Sequence, residues 1–272
     1  LGIPGFITTL GGMMIFRGGV IWISNSISVP VPSELKWFGA GYLPEWGPAF
    51  TGMNNSTLLL GILAIAAYVL AQMRKFSHSG DVTGEKEEFW PFAVRIAIVA
   101  VVIGYATWLF GSGRPGTGFP ISGLFLMLLI ILYYLITERT SFGRHVYAVG
   151  GNKMAAELSG VNVRRTYFLT MLNMSVLAAV AGILFVGRST AAGPADGTSW
   201  EMDAIASVFI GGAAVSGGVG TVIATMVGGL VMAVLNNGLM LMGVGADKTQ
   251  VIKGFVLLAA VAFDVYNKKS KG

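Results

Sequence analysis

Residues 119–137 read FPISGLFLMLLIILYYLIT, a run of 19 positions without a charged side chain. An α-helix of this length rises by about 28 Å, close to the ~30 Å thickness of a membrane hydrocarbon core. A helix that is apolar on every side has no polar face to turn toward water. The stretch therefore predicts a membrane-spanning helix.

The rest of the chain has the same character. Its 272 residues are 54% hydrophobic and 11% charged, whereas soluble domains carry roughly 25% charged residues. The sequence therefore predicts an all-α, polytopic membrane helix bundle that forms one transmembrane domain over 1–272. About eight segments are expected, of which the sixth is too short to span easily. They are 6–24, 57–73, 91–110, 119–137, 166–187, 204–216, 220–242 and 249–266.

The basic residues predict the orientation of the chain, because Lys and Arg accumulate in cytoplasmic loops. The loops and ends assigned to the inner side contain Arg74, Lys75, Lys86, Arg95, Arg139, Arg144, Lys153, Arg164, Arg165, Lys268, Lys269 and Lys271. The outer side has fewer, namely Lys36, Arg114, Arg188, Lys248 and Lys253. We therefore expect both ends of the chain in the cytoplasm.

The residues needed for enzymatic chemistry are missing or scattered. There is no cysteine, and the two histidines, His78 and His145, fall in separate predicted loops. The sequence contains no G-x-x-x-x-G-K-[ST] motif for binding a nucleotide. We therefore predict a protein that is not an enzyme, with no catalytic residue, no metal site and no cofactor on this chain.

A basic stretch at 142–165, FGRHVYAVGGNKMAAELSGVNVRR, interrupts the apolar segments. Within it, GGNKMAAELSG at 150–160 has the layout of a short helix. The two leading glycines predict a flexible turn, Asn152 is a favourable N-cap, and Gly160 stands where helices commonly end. A helix of two turns is marginal alone in water, so it needs a surface to lie against. That surface is either the membrane or the bundle itself, or a groove on a cytoplasmic partner.

Three stretches carry a resemblance to a known family. They are IPGFITTLGGMMIFRGG near the start, FGRHVYAVGGNKMAAELSGVNVRRTYFLTMLN from Phe142, and AAVAGILFVGRSTAAGPADGTSWEMDAIASVFIGGAAVSGGVG from Ala178. In order and spacing they resemble the permeases of bacterial ABC importers in the ribose, xylose and branched-chain amino acid family. The resemblance covers most of the chain, and the sugar branch, above all the xylose permeases, is most similar.

The resemblance implies a function and partners. It implies a subunit that forms the path for a monosaccharide, xylose or a similar pentose or hexose, across the bacterial inner membrane. A separate ATPase, which binds ATP and magnesium, would drive the transport. The other implied partners are a periplasmic sugar-binding protein, a second permease copy and membrane lipid, with no nucleic acid. Family members are usually longer at the N-terminus and this chain starts at Leu1, so we expect N-terminal helices to be missing.

In that family the matching cytoplasmic helix docks into the ATPase. The resemblance therefore implies a coupling segment at 138–165. Its expected ATPase-coupling residues are Gly150, Gly151, Asn152, Met154, Ala155, Ala156, Glu157, Leu158 and Gly160.

Uncharged polar residues inside the apolar segments are candidates for the substrate path, because a sugar needs hydrogen bonds without strong charge. They are Asn173, Ser207, Thr225, Asn236 and Asn237. Helix–helix hydrogen bonding is the other interpretation of each. Small residues at every fourth position, Gly212, Ser216, Gly220, Ala224 and Gly228, predict a ladder for close helix packing. An ion-coupled secondary transporter or channel is the alternative function, and it predicts intramembrane acids or paired broken helices.

Overall fold

The computed structural model describes residues 5–47, 52–82, 89–113 and 117–269, and these are mainly helical. The predicted basic residues Lys86, Arg114 and Lys271 lie outside the described residues. The first five helices are α1 (Gly5–Ile23), α2 (Ser33–Ala40), α3 (Asn55–Val82), α4 (Phe89–Gly111) and α5 (Ile121–Arg139). The next six are α6 (Ser141–Gly151), α7 (Lys153–Leu158), α8 (Val163–Ser189), α9 (Trp200–Ile210), α10 (Val222–Leu241) and α11 (Ala246–Lys269). Two short strands, β1 (Val29–Pro30) and β2 (Ala191–Ala192), pair antiparallel.

Five of the described helices are long and apolar enough to cross a membrane. They are Asn55–Arg74, Trp90–Gly111, Ile121–Arg139, Val163–Ser189 and Val222–Leu241. At most 17% of the residues in each apolar window are buried within the protein. Apolar side chains that face outward along entire helices fit a lipid surface, and they would be a liability in water. The predicted polytopic helix bundle is therefore confirmed.

Against these five spans among the described residues, the predicted count of about eight is loose. The apolar part of α1 described by the structure is Ile7–Ile23, shorter than a typical span. The sixth predicted segment, 204–216, is helical only as far as Ile210, because α9 is an 11-residue helix. The eighth is a helix of 24 residues, α11, but its first two turns carry Asp247, Lys248 and Lys253. The sixth segment is thus too short to span as a helix, as the sequence indicated.

One compact unit consists of Val31–Phe125 and Ile183–Thr190. In it α3 packs against α4, and Gly61 on α3 lies directly against the side chain of Thr107. The side chain of Asn54 accepts a hydrogen bond from the Thr57 amide, at 2.9 Å. The Thr57 hydroxyl, which is fully buried, accepts one from the Phe119 amide, at 2.8 Å. The start of α3 is thereby tied to the residues just before α5.

The other compact unit consists of Leu1–Pro30, Leu126–Gly182 and Ala191–Gly272. In it α9 packs against both α10 and α11, and α6 packs against α7. The backbone of α10 at Gly228 touches the Ser207 carbonyl of α9, a close approach that only a residue without a Cβ allows. The single transmembrane domain over 1–272 and the cytoplasmic placement of both ends stay predictions.

The residues after α9 form a loop at 211–221 instead of continuing the helix. Gly212, Gly217 and Gly218 have positive φ angles, a conformation that glycine adopts without strain. Thr221 then caps α10, since its hydroxyl accepts from the Ala224 amide at 3.2 Å. The predicted small-residue ladder is therefore wrong over its first half, where the backbone is not helical. Only Ala224 and Gly228 lie on a helix.

Candidate functional site

The short helix expected within 150–160 exists as α7, and its two ends are built as the sequence predicts. The Asn152 side chain accepts a hydrogen bond from the Ala155 amide at 3.0 Å, so it caps the first turn. After Leu158 the chain leaves the helix, and Gly160 adopts a positive φ of 84°. Gly160 is thus the left-handed residue that ends many helices.

The two glycines before Asn152 do not form the predicted flexible turn. Gly150 and Gly151 are instead the last residues of α6, which starts at the Thr140 cap. Gly150 packs against a distant part of the chain: a Cβ on Gly150 would lie only 2.6 Å from the backbone nitrogen of Gly218. Gly150 is therefore required for close packing against the 211–221 loop.

A small apolar core fixes α7 in place. Val149 on α6, Ala156 on α7 and Val163 on α8 are buried together, with Val161 packed beside them. Ala156 is the buried face of α7, while Ala155 and Glu157 on the same helix are exposed. The helix is therefore held by its neighbours although it has only six residues.

The opposite face of α7 presents two large apolar side chains to the exterior. Met154 is 74% exposed and Leu158 is 85% exposed. They lie four residues apart, so they share one face of the helix. Four basic residues that precede or follow them in the sequence, Arg144, Lys153, Arg164 and Arg165, are exposed as well. This surface, Met154 and Leu158 with the four basic residues, is called the α7 face below.

The helix α6 is joined to the 211–221 loop by Tyr147 as well as by Gly150. The Tyr147 hydroxyl donates to the Gly220 carbonyl at 2.8 Å. Burial, and then the nearby charge of Glu138, raise the pKa of Tyr147 above its ordinary value, while the hydroxyl of Thr137 lowers it by a smaller amount. The phenol is therefore protonated at neutral pH and can donate this bond.

The five substrate-path candidates do not converge on one place. Asn173 on α8 accepts a hydrogen bond from the Tyr133 hydroxyl, at 3.0 Å. Ser207 and Thr225 donate to carbonyls of their own helices, at 2.6 and 3.0 Å. Asn237 is exposed, and only Asn236 reaches a charged group on another helix. Their role in a substrate path stays a prediction.

That charged group is Asp203, on the first turn of α9. Its Oδ2 atom accepts from the Lys253 ammonium at 2.9 Å and from the Asn236 amide at 3.1 Å. From the sequence, Lys253 is counted on the outer side and lies within the eighth predicted segment, 249–266, and α11 (Ala246–Lys269) carries it. Opposite charges near the ends of two apolar segments were the available signal for this ion pair.

A cavity of about 470 Å³ opens beside this ion pair. Its lining is Thr198, Ser199, Trp200, Asp203, Asn236, Met240, Val244, Ala246, Thr249, Gln250 and Lys253. We call it the α9–α11 cavity. Ser199, Gln250 and Lys253 also line a smaller neighbouring cavity, of about 220 Å³. Within the described part of the chain, no group of three or more His, Asp or Glu side chains could hold a metal ion.

Comparison with known proteins decides the class of this helix bundle. The family described as branched-chain amino acid transport system, permease component, matches residues 38–261. The chain belongs to this permease family. No solved structure matches it.

Curated relatives of the permease are named as sugar permeases. The xylose transport system permease protein XylH of Haemophilus influenzae is 36% identical over 272 residues, covering 98% of this chain and 68% of that protein. XylH of Escherichia coli is 36% identical over 98% of this chain and 65% of its own length. The ribose import permease protein RbsC of Bacillus subtilis is 39% identical over 61% of this chain and 51% of its own. The permease thus spans about two thirds of the length of its xylose relatives.

These comparisons confirm the resemblance inferred from the sequence. They also confirm a transport component rather than an enzyme, because the relatives are named permease proteins. With five apolar helices in the part that the structure describes, the chain is a multi-pass membrane protein.

Proposed function

We propose that the chain is the membrane-spanning subunit of an ATP-driven importer of a monosaccharide, xylose or a similar pentose or hexose. The observation that carries this function is the α7 face. Met154 and Leu158 expose large apolar side chains on a helix that Ala156 anchors in a buried core. An exposed apolar knob on a fixed short helix, with basic residues around it, suits a hydrophobic groove on a partner protein.

The partner at this face is an ATPase subunit that binds ATP and magnesium. The residues at 150–160 have different roles in this docking. Met154 and Leu158 enter the groove, and Asn152, Ala156 and Gly160 hold the helix in position. The exposed Ala155 and Glu157 flank the contact. Gly150 and Gly151 connect the helix to α6.

Tyr147 and Gly150 give this docking a route into the bundle. Both contact the 211–221 loop, which joins α9 to α10. Closure of the ATPases on ATP would shift α7 and α6, and the shift would reach the loop through these contacts. ATP thereby favours one of two packings of α9 and α10, which is how binding energy can select a conformation.

The remaining features follow from the same function. A periplasmic binding protein delivers the sugar, a second copy of the permease completes the membrane path, and lipid surrounds both. The exposed basic residues of the α7 face lie on the cytoplasmic side, in keeping with the positive-inside rule. Both ends of the chain are then cytoplasmic, in the bacterial inner membrane.

Reconstitution tests the function. The complete permease protein would be placed in proteoliposomes with its ATPase and binding protein, and uptake of radiolabelled D-xylose and D-ribose measured. We expect uptake that requires ATP and the binding protein, with one pentose preferred. Uptake driven by a sodium or proton gradient without ATP would contradict the function and favour the ion-coupled transporter, for which the Asp203–Lys253 ion pair would be the first candidate site.

A further inference from the structure

On the basis of the proposed function, we propose that the α9–α11 cavity is a binding subsite for a neutral, hydroxyl-bearing sugar. Asp203 and Asn236 would accept hydrogen bonds from its hydroxyl groups. The site would hold the sugar weakly on its passage through the permease.

The first support is two oxygen atoms without a hydrogen-bond donor. The Lys253 ammonium and the Asn236 amide nitrogen both donate to the same carboxylate oxygen, Oδ2 of Asp203. The other carboxylate oxygen, Oδ1 of Asp203, and the amide oxygen of Asn236 are buried and accept nothing. A buried acceptor without a donor raises the free energy of the folded protein. A ligand that donates hydrogen bonds to these two oxygens would remove that penalty.

The local charge selects the kind of donor. Lys253 and Asp203 form an ion pair at 2.9 Å, and their opposite charges cancel. A metal cation bound to the two free oxygens would lie close to the Lys253 ammonium and be repelled by it. An anion at the same position would be repelled by the two acceptor oxygens. A neutral hydroxyl meets neither penalty, and it can donate to an oxygen of Asp203 or Asn236.

The remaining lining also suits a sugar. Ser199, Thr249 and Gln250 offer groups that both donate and accept, as successive sugar hydroxyls do. Trp200 adds a broad apolar surface for the C–H face of a pyranose ring. A volume of about 470 Å³ lies in the range of small-molecule sites, roughly 300–1,000 Å³.

The two oxygens are buried, so a sugar would reach them through movement of the side chains around them. The Asp203 and Lys253 side chains are 22% and 20% exposed, so the pair lies at the cavity wall and not in a sealed core. Lys253 has a flexible four-carbon stem, so its ammonium can shift along the cavity wall while it stays close enough to Asp203 to balance its charge. A few hydrogen bonds formed in this way give the weak, reversible binding that passage through the membrane needs.

Saturation-transfer NMR with D-xylose tests the subsite. The sample is the complete permease bound to its ATPase in nanodiscs, without the binding protein, which would bind sugar itself. Asn236→Leu removes the acceptor at similar size, and Gln250→Leu changes an exposed lining residue whose side-chain amide donates to the Ser199 hydroxyl at 3.5 Å. Asp196→Asn is the control, because Asp196 is a neighbouring acid outside the cavity that accepts from the Gly193 amide at 2.7 Å. Sodium is varied in a separate titration.

We expect a D-xylose signal in wild type and in Asp196→Asn, weakened about fivefold by Asn236→Leu and about threefold by Gln250→Leu, the loss expected for one hydrogen bond. Equal signals in Gln250→Leu and wild type, or no signal in wild type, would overturn the subsite. A signal that sodium abolishes by competition would also overturn it, since the site would then bind a cation. If the ATPase co-purifies but no D-xylose signal is seen, the subsite is wrong and the proposed function stands. If the ATPase does not co-purify but the D-xylose signal still falls in the variants, the proposed function is wrong and the subsite is supported.

Discussion

The hydroxyl of Tyr147 on α6 donates a 2.8 Å hydrogen bond to the backbone carbonyl of Gly220, 73 positions further along the chain. Close by, the backbone at Gly150 packs directly on Gly217 and Gly218. The segment proposed to receive the ATPase is therefore bonded to the loop that joins α9 and α10. Movement of one is expected to move the other.

The substitution Tyr147→Phe removes this hydrogen bond and keeps the aromatic ring. A typical protein hydrogen bond contributes about 1 kcal/mol, so we expect ATP-driven sugar uptake to fall by roughly threefold to tenfold. ATPase binding should be unchanged, because the α7 face is untouched. Uptake and ATPase co-purification from the same preparation measure the two effects.

Tyr167→Phe is the matched control, since Tyr167 lies on α8 and is half exposed. Uptake by Tyr147→Phe at the level of Tyr167→Phe would show that the hydrogen bond carries no coupling.

High pH should lower sugar uptake as Tyr147→Phe does. The pKa of Tyr147 is raised in the folded protein, so the bond is present at neutral pH and is lost only when pH rises through that raised value.

Two adjacent glycines on α10 give a test of the α9–α10 contact. A Cβ on Gly228 would collide with the Ser207 carbonyl on α9, whereas a Cβ on Gly229 would meet nothing within 4 Å. We expect Gly228→Ala to lower the free energy of unfolding by about 1–3 kcal/mol, the usual cost of overpacking. Gly229→Ala should leave it unchanged or raise it by up to about 1 kcal/mol, because Ala favours helix. Thermal unfolding in detergent measures both, and equal melting temperatures would contradict the packing.

The substitution Asn152→Ala removes the N-cap of α7. Loss of such a cap costs about 1 kcal/mol, so amide hydrogen exchange over 153–158 should accelerate by roughly fivefold. Asn162→Ala is the control, because the Asn162 side chain caps α8 through the Arg165 amide at 2.9 Å. Faster exchange there should be confined to the start of α8. Unchanged exchange in α7 of Asn152→Ala would mean that the cap contributes nothing.

The features that depend on local sequence were predictable. The apolar run at 119–137 identified α5, because a charge-free helix of that length has no stable place in water. Asn152 and Gly160 marked the ends of α7, since capping chemistry is carried by the residues at the helix ends. The order and spacing of the family stretches indicated the permease family, which the comparison over 38–261 confirmed.

The features that depend on distant partners were not predictable. Gly150 was interpreted as a turn residue, because nothing near it in sequence shows that Gly218 lies against it. The end of α9 at Ile210, inside the predicted segment 204–216, is not visible in the sequence, because the positive φ of Gly212 belongs to a loop set by its packing. The pairing of Lys253 with Asp203, 50 positions away, is likewise invisible in the local sequence, since only the fold brings the two side chains together.

Co-purification of the ATPase with variants of the α7 face tests the docking claim most directly. Leu158→Glu and Met154→Glu place a charge where an apolar groove is expected, and Leu158→Met keeps the apolar character as the matched control. Leu158 is 85% exposed, so the substitutions should leave the permease folded, which its elution in size-exclusion chromatography reports. We predict that the ATPase co-purifies with wild type and Leu158→Met and is lost from both glutamate variants. Equal recovery of the ATPase with the two folded glutamate variants would contradict docking at α7.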